Sequence, residues 1–501
     1  MEREQHRRAK AEGKAVWYPI LFVALIALIA FLSFYKLDVK YVDPWDEARH
    51  GVNAYEMANG GNLFQNTYLR QADYYNLKPP LSMWCIMLFM GIFGNTVFAL
   101  RFGSALCYVL LAVSAGLFVR RYGKLESLLA VAFLAVNTTA FQAHMIRAGD
   151  ADSLYVLLFT LAMLAMMRIP EQKNNLYVCG FLFALAFLTK SFHAGVIALI
   201  GGLYLILTGQ IKQIRVKNWI LFFFSVTVPV LLWAVPRYLI DNMTFFRKMW
   251  ETDVLGRTDG TLHSNPAPFS YYLSYYFGAA SGKVTVYLCA FVLILLAAVV
   301  FSHFFAWKNK TAYIGWLLWA VVPLLAFSAV SNKLLWYVYP SLVPVLLAAG
   351  IGAARLIKEK RILPFFRVMV AVATAVILVF YVHGIVETIN RQGTNDFQML
   401  VRQVAEDDTY DGCQVFVEYA LNEDGTVQSV WNQQDVFVAE AYGDYECMQN
   451  GLLSVMTRST YSGKTGILFV GDDVYNASVD VYEAYETIAQ NGGYRALLVS
   501  Y

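Results

Sequence analysis

The chain has 501 residues, 58% of them apolar, 16% aromatic and only 15% charged, with a formal net charge of +3. A soluble protein of this size carries charge on about a quarter of its residues, so the composition excludes a soluble globular fold and indicates an α-helical polytopic membrane protein. The small positive balance is distributed by membrane side, which leaves no footprint for nucleic acid.

A basic start, MEREQHRRAKAEGK, leads into an apolar run from about Trp17 to Tyr35. That run is long enough to span and lacks a small-residue cleavage site, so it reads as a first transmembrane helix and not as a removed signal. The stretch from Asp43 to Pro80 then carries five carboxylates, Asp43, Asp46, Glu47, Glu56 and Asp73, and ends in Lys78-Pro79-Pro80. The two prolines suppress helix and hold Lys78 at headgroup depth. The next apolar run, Leu81 to Phe93, has the length of an interfacial or re-entrant helix.

Later apolar runs lie near residues 98–119, 126–143, 152–167, 175–189, 194–209, 218–236, 284–306, 311–329, 334–352 and 365–385. With Leu81–Phe93 kept from crossing, the N-terminus and the basic connectors fall on one side. These connectors are Arg120-Arg121-Lys124, Arg168 with Lys173, Lys212-Arg215-Lys217, Lys308 with Lys310, and Arg355-Lys358-Lys360-Arg361. The excess of Lys and Arg makes that side cytoplasmic. The expectation is about eleven spans plus interfacial helices, with the N-terminus inside and the C-terminus outside.

From about Asn390 the sequence turns polar and acidic. Short apolar runs at 413–421, 435–442, 465–474 and 494–501 read as strands, and 397–405 and 481–491 as helices. This predicts a transmembrane body of residues 1–388 and a small extracytoplasmic α/β domain of residues 389–501. Cys413 and Cys447 lie in this tail and can either pair in an oxidising compartment or stay free.

The outer connectors hold the candidate chemistry. In the first, a carboxylate of the Asp46-Glu47 pair can take a proton from an incoming hydroxyl, while Arg49 or Lys78 neutralises a departing phosphate. The bland alternative is a solvated loop with a snorkelling lysine. In the second connector Asp152 fits the acidic start of a helix and Asp150 fits less well, so Arg147, Asp150 and Asp152 can support a site. Lys190 and Lys333 are each the sole Lys or Arg of a short outer turn, and either snorkel or face an anionic lipid headgroup. His263, in the loop from Arg237 to Lys283, can donate to a phosphate, bind a metal beside a carboxylate, or serve as an ordinary polar residue. A divalent cation held by Asp46 and Glu47 is compatible with the pattern but not required.

Taken in order, Asp46-Glu47-x-Arg49 and Lys78-Pro79-Pro80-Leu81 resemble the first outer loop of the polyprenyl-phosphate-sugar-dependent glycosyltransferases of the GT-C fold. Within that group they are most similar to the aminoarabinose transferase and protein O-mannosyltransferase branch. Arg147-Ala-Gly-Asp150-Ala-Asp152, Phe187-Leu-Thr-Lys190, His263-Ser-Asn-Pro and Phe327-Ser-x-x-x-Asn-Lys333 follow in the same order. Together they cover roughly residues 17–355. Ala267-Pro268 departs from the pattern by separating Asn265-Pro266 from the aromatic run.

The resemblance implies that Asp46 is the catalytic carboxylate, and that Lys78, with Arg49 and Lys333, faces a lipid phosphate. Glu47, Arg147, Asp150, Asp152, Lys190 and His263 would support the site. It further implies inverting transfer from a polyprenyl-phosphate sugar donor to a lipid, glycan or protein acceptor at the outer face of a bacterial plasma (inner) membrane. The alternative is a polyprenyl-lipid flippase or secondary transporter. Transporters place ionisable groups or broken helices near the bilayer midplane, whereas the acids here fall in loops and at span ends.

Overall fold

The computed structural model describes residues 17–142, 144–256, 267–277, 293, 310–449 and 465–500. The first helix, α1, is Trp17–Phe34, and the opening connector folds into α2, Asp46–Asn59, and a small hairpin of β1 (Thr67–Tyr68) and β2 (Gln71–Ala72). The short apolar run becomes α3, Leu81–Phe93, of 13 residues. There follow α4 (Val97–Val119), α5 (Lys124–Leu134), α6 (Asp152–Met166), α7 (Asn175–Lys190), α8 (Gly195–Leu207) and α9 (Val216–Asp241). After the described Tyr271–Phe277 helix come α10 (Lys310–Ala329), α11 (Tyr339–Lys358) and α12 (Pro364–Asn390).

Among the described residues seven helical stretches are long and apolar enough to cross a membrane, and α3 and α6 are shorter apolar helices. One of the seven, Asn175–Leu207, is broken at Ser191, whose φ of 53° ends α7 before α8 begins. The run expected to span at 126–143 gives only the 11-residue α5, about 16 Å long at 1.5 Å per residue. Its backbone turns at Ala135–Asn137 into the short helix Thr138–Gln142. The run expected at 284–306 lies outside the described residues, Leu293 apart.

The membrane body is held by one large apolar cluster drawn from α1, α4, α5, α6, α8, α11 and α12. Burial of this kind needs no strong amphipathic stripe, because the outer helix faces meet lipid instead of water.

After α12 the chain forms α13 (Asp396–Val404), β3 (Gln414–Glu418), α14 (Gln433–Gly443), β4 (Glu446–Cys447), β5 (Thr465–Gly471), β6 (Glu486–Asn491) and β7 (Tyr494–Ser500). The strand order is β4-β3-β5-β7-β6, with β3 parallel to β4 and β5, and β7 antiparallel to β5 and β6. Successive residues alternate between the two faces, as a strand requires. Val415, Val417, Ile467 and Phe469 face one cluster, and Phe416, Leu468 and Val470 the other.

Two assignments in this tail are corrected. Residues 435–442, expected as a strand, are helical within α14, because both faces of the run are buried and no alternation distinguishes them. The helix expected over 481–491 is only the single turn Val479–Tyr482, and Glu486–Asn491 is strand β6, turned back on β7 through Gly492 at φ 56°. Cys413 and Cys447 are both free thiols.

The cluster on the α13–α14 side of the sheet continues into the first connector, where Val52, Ala54, Tyr55 and Met57 of α2 join Val436 and Phe437 of α14. Tyr55 Oη donates to Asp444 Oδ1 at 2.5 Å across the same seam. Gly51 lets the two helices approach, since a Cβ there would lie 2.5 Å from Phe437 Cδ2. Replacing Gly51 by Val is therefore expected to destabilise the protein by about 1–3 kcal/mol, with partial recovery in the Gly51→Val, Phe437→Leu pair. Thermal unfolding followed by tryptophan fluorescence checks this, and an unchanged Tm for Gly51→Val would contradict the packing.

Candidate active site

The first connector is fixed by a buried ion pair. Arg101, on α4, donates Nε and Nη2 to the two Glu47 oxygens at 2.7 and 2.8 Å. Its other contacts are the carbonyls of Leu37, Lys40 and Tyr41 at 2.8–2.9 Å. Glu47 also accepts from the backbone N–H of Asp43 and of Gly149, each at 2.8 Å. Both carboxylate oxygens are thus occupied, so Glu47 anchors the start of α2 and is not a free ligand for a cation.

Asp46, its neighbour in the first turn of α2, points the other way, and its side chain is 37% exposed. Oδ1 accepts from Lys78 Nζ at 3.1 Å, and Oδ2 lies 3.9 Å from His144 Nδ1. His144 donates to the buried Asp150 at 2.9 Å and stacks on Trp336 with ring centroids 3.7 Å apart. One turn along α2, His50 is fully buried and donates Nδ1–H to the Asp46 carbonyl at 2.7 Å.

The charges around Asp46 decide its protonation. Burial opposes ionisation, but Lys78 and the two histidines outweigh both that and the nearby Asp150, and hold the Asp46 carboxyl below its ordinary range. His144 moves the opposite way: burial would lower it, but the hydrogen bond and charge of Asp150, then Asp46, raise it above 6.5. His50 is lowered, first by burial and then by Lys78.

A cavity of about 340 Å³ opens beside this cluster, walled by Asp46, Arg49, Lys78, Lys190, Trp336 and Tyr337 among others. Lys190 is buried and pairs with Asp152, so α6 and α7 bring the two residues together at one wall. Arg49 also lines the cavity, but its guanidinium is bound by Asp73 through two contacts of 2.8 Å and lies 3.6 Å over the Tyr68 ring.

Other expected site residues are placed elsewhere. Arg147 donates to the carbonyls of Leu32, Ser33 and Lys36 at 2.9–3.2 Å, capping the end of α1 where a cation suits the helix dipole. Lys333 is buried and donates to the carbonyls of Ala267 and Val330 at 2.8 and 2.6 Å, while its neighbours Asn332 and Leu334 line the cavity. His263 lies outside the described residues.

Among the described residues, Asp46, His144 and Asp150 place one ligand atom each within 4.8 Å of one another. With Glu47 taken up by Arg101, this carboxylate–imidazole–carboxylate set is where a divalent ion would be held, and it would take the place of the His144 Nδ1 proton now given to Asp150.

The chain resembles known proteins at three levels. Residues 77–233 match the family described as dolichyl-phosphate-mannose-protein mannosyltransferase. The undecaprenyl phosphate-alpha-4-amino-4-deoxy-L-arabinose arabinosyl transferase of Shewanella sediminis is 26% identical over 353 residues, 66% of this chain and 60% of that relative. Its namesake from Yersinia pestis is 27% identical over 400 residues, 75% of this chain and 68% of the relative. The chain thus spans about three fifths of the length of the first of these. The crystal structure of ArnT from Cupriavidus metallidurans bound to undecaprenyl phosphate superposes with a TM-score of 0.67 at 15% identity, covering 97% of this chain and 98% of that one. The chain is thus similar in sequence to membrane glycosyltransferases and shares the fold of the Cupriavidus protein. The superposition takes in nearly the whole chain, so the likeness of fold extends through the C-terminal sheet unit, which the sequence motifs do not reach.

Sequence reasoning missed His50, His144 and Arg101. His144 opens the connector whose acids were singled out, and its spacing from Asp150 follows no regular element. Arg101 sits inside an apolar span, where an unexplained ionisable residue is itself a signal for a buried partner.

Two outcomes follow. Arg101→Ala strands the Glu47 charge and is expected to cost roughly 3–5 kcal/mol, more than the double change Arg101→Met, Glu47→Leu; thermal unfolding of purified protein compares them. For His144, a raised native pKa means that its stabilising contribution is full below about pH 6.5 and is lost as pH rises through the native value. Histidine NMR should therefore show His144 titrating above 6.5 and falling in Asp150→Asn, and no fall would remove Asp150 as its partner.

Proposed function

We propose that the protein transfers a sugar from a polyprenyl-phosphate donor to an acceptor at the extracytoplasmic face of a bacterial inner membrane, with inversion at the anomeric carbon. The observation that carries this reading is the Asp46–Lys78 contact of 3.1 Å at the wall of a cavity also lined by Lys190. A base and a cation meet where a bond to a phosphate has to be broken, with the Lys190–Asp152 pair at the same wall. The names of the relatives, arabinosyl transferases acting on an undecaprenyl phosphate sugar, and the lipid in the Cupriavidus structure support the same donor class.

In the proposed reaction an acceptor hydroxyl oxygen attacks the anomeric carbon, the bond from that carbon to the phosphate oxygen breaks, and the hydroxyl proton passes to Asp46. The leaving polyprenyl phosphate takes the bonding pair, and Lys78 neutralises it. Before donor binds, Lys78 sits on Asp46 and weakens it as a base. A phosphate arriving in the cavity competes for Lys78 and frees the carboxylate to accept a proton. Arg49, already neutralised by Asp73, holds the cavity wall in this reading, and Lys333 fixes the turn that carries Asn332 and Trp336.

The basic connectors support an inside N-terminus and an outside C-terminal unit. The change of composition near Asn390, where α12 ends, supports the division into residues 1–388 and 389–501.

Transfer from a panel of radiolabelled undecaprenyl-phosphate sugars, aminoarabinose included, to membrane acceptors tests the proposal at matched expression. Asp46→Asn is expected to lower kcat by about 10²–10⁴-fold while donor binding persists, and Lys78→Ala to weaken binding of undecaprenyl phosphate itself. Undiminished transfer in Asp46→Asn would remove the base, and unchanged lipid binding in Lys78→Ala would remove the phosphate site.

A further inference from the structure

A second cavity, of about 450 Å³, lies among α6, α7, α8 and α9. Its size falls within the range of ligand sites, roughly 300–1,000 Å³. Helices α6 and α7 carry Asp152 and Lys190 at one end, and they wall this cavity toward the other, with Met163 and Met166 on α6 and Leu176 and Phe183 on α7. The cavity and the Asp46 site therefore lie at opposite ends of these two helices.

The lining is almost wholly apolar. The Cys179 thiol and the Thr227 hydroxyl donate to the carbonyls of Ala162 and Phe223 at 3.3 and 2.9 Å, which leaves water few partners in this space. Gly201 and Gly202 of α8 border it as well, and a Cβ at either would meet nothing within 4 Å. On α9 the lining runs from Trp219 to Thr227, about 12 Å of helix. That is close to one leaflet's share of a hydrocarbon core roughly 30 Å thick. Phe223 of the lining is 59% exposed, so the cavity opens sideways to the bilayer.

Two connectors bound one end of this space. The α6–α7 connector reaches it with Ile169 and Leu176, and the α8–α9 connector with Leu205 and Trp219. Lys173 clips the connectors together, donating Nζ to the side-chain oxygens of Gln210 and Gln213. Lys212, Arg215 and Lys217 follow on the second connector and are exposed. Among the described residues none of these four cations pairs with a carboxylate, and Glu171, the single acid of the two connectors, is held by Arg121 at 2.8 Å. An apolar slot about one leaflet deep thus ends at positive charge that no acid neutralises. Its complement is a fatty chain with an anionic head.

We propose that this cavity binds one chain of an anionic phospholipid from the leaflet facing the basic connectors, with the lipid phosphate met by Lys173, Lys212 and Arg215. A zwitterionic lipid fills the same space but lacks the net attraction. The polyprenyl donor of the proposed reaction has its phosphate at Lys78, beyond the far ends of α6 and α7.

Native mass spectrometry of the full-length protein tests the assignment, with equimolar palmitoyl-oleoyl phosphatidylglycerol and phosphatidylcholine added, with and without undecaprenyl phosphate. The unaltered protein is expected to retain phosphatidylglycerol over phosphatidylcholine by about tenfold or more. The exposed pair Lys212→Gln, Arg215→Gln should remove most of that preference. Gly202→Phe, which the open space beside Gly202 accommodates, should abolish retention of both lipids. Equal retention of the two lipids by the unaltered protein, an undiminished preference in Lys212→Gln, Arg215→Gln, or full retention in folded Gly202→Phe would overturn the assignment. Displacement of phosphatidylglycerol by undecaprenyl phosphate would also overturn it and give the cavity to the donor's chain.

Discussion

The site depends on a charge that never faces it. Arg101 leaves an apolar span to bind Glu47 and three carbonyls of the segment after α1, and Glu47 in turn holds the N–H of Gly149. One buried ion pair thereby ties α2, α4, the end of α1 and the second outer connector into a single junction. Burying two charges is costly unless every donor and acceptor is matched, and here both Glu47 oxygens are matched twice. The reward is geometric: with Glu47 immobilised, the adjacent Asp46 is held in one direction, toward Lys78 and His144.

Around that junction the charges are sorted by destination. Asp46, Lys78 and Lys190 border the small cavity, whereas Arg147 and Lys333 bind carbonyls and stabilise backbone ends. The distinction has a physical origin. A cation that has spent its N–H groups on carbonyls has little left for an incoming anion, while Lys78 holds the Asp46 carboxylate, which a phosphate can replace. Arg49 is held differently again, by two bonds to Asp73 and over the Tyr68 and Tyr75 rings.

Much of this was legible in the residues. The acids and Lys78 in one connector, the length of Leu81–Phe93, and the ordered motifs pointed to the fold and to the Asp46–Lys78 meeting. What could not be read was direction. Asp46 and Glu47 are adjacent and chemically alike, and only the partner at Arg101, 54 positions from Glu47, separates their roles. His50 and His144 were hidden for the same reason, since neither has a spacing that announces a neighbour. In the tail, the run 435–442 has strand-like residues but is packed between α2, α13 and β4, and that burial on more than one face by distant segments decided for helix.

The seam between α2 and α14 also sets a schedule for making the protein. Tyr55 and Asp444 are 389 positions apart, so at about 5–20 residues per second the ribosome takes roughly 20–80 seconds to supply α2 with its packing partner. During that interval the helix carrying Asp46 emerges with its apolar flank uncovered, at the membrane edge, while the later spans are still being inserted. The segment that completes the core beneath the first connector is thus translated long after it, so a chain cut short before α14 would possess the Asp46 helix but not the surface on which it rests.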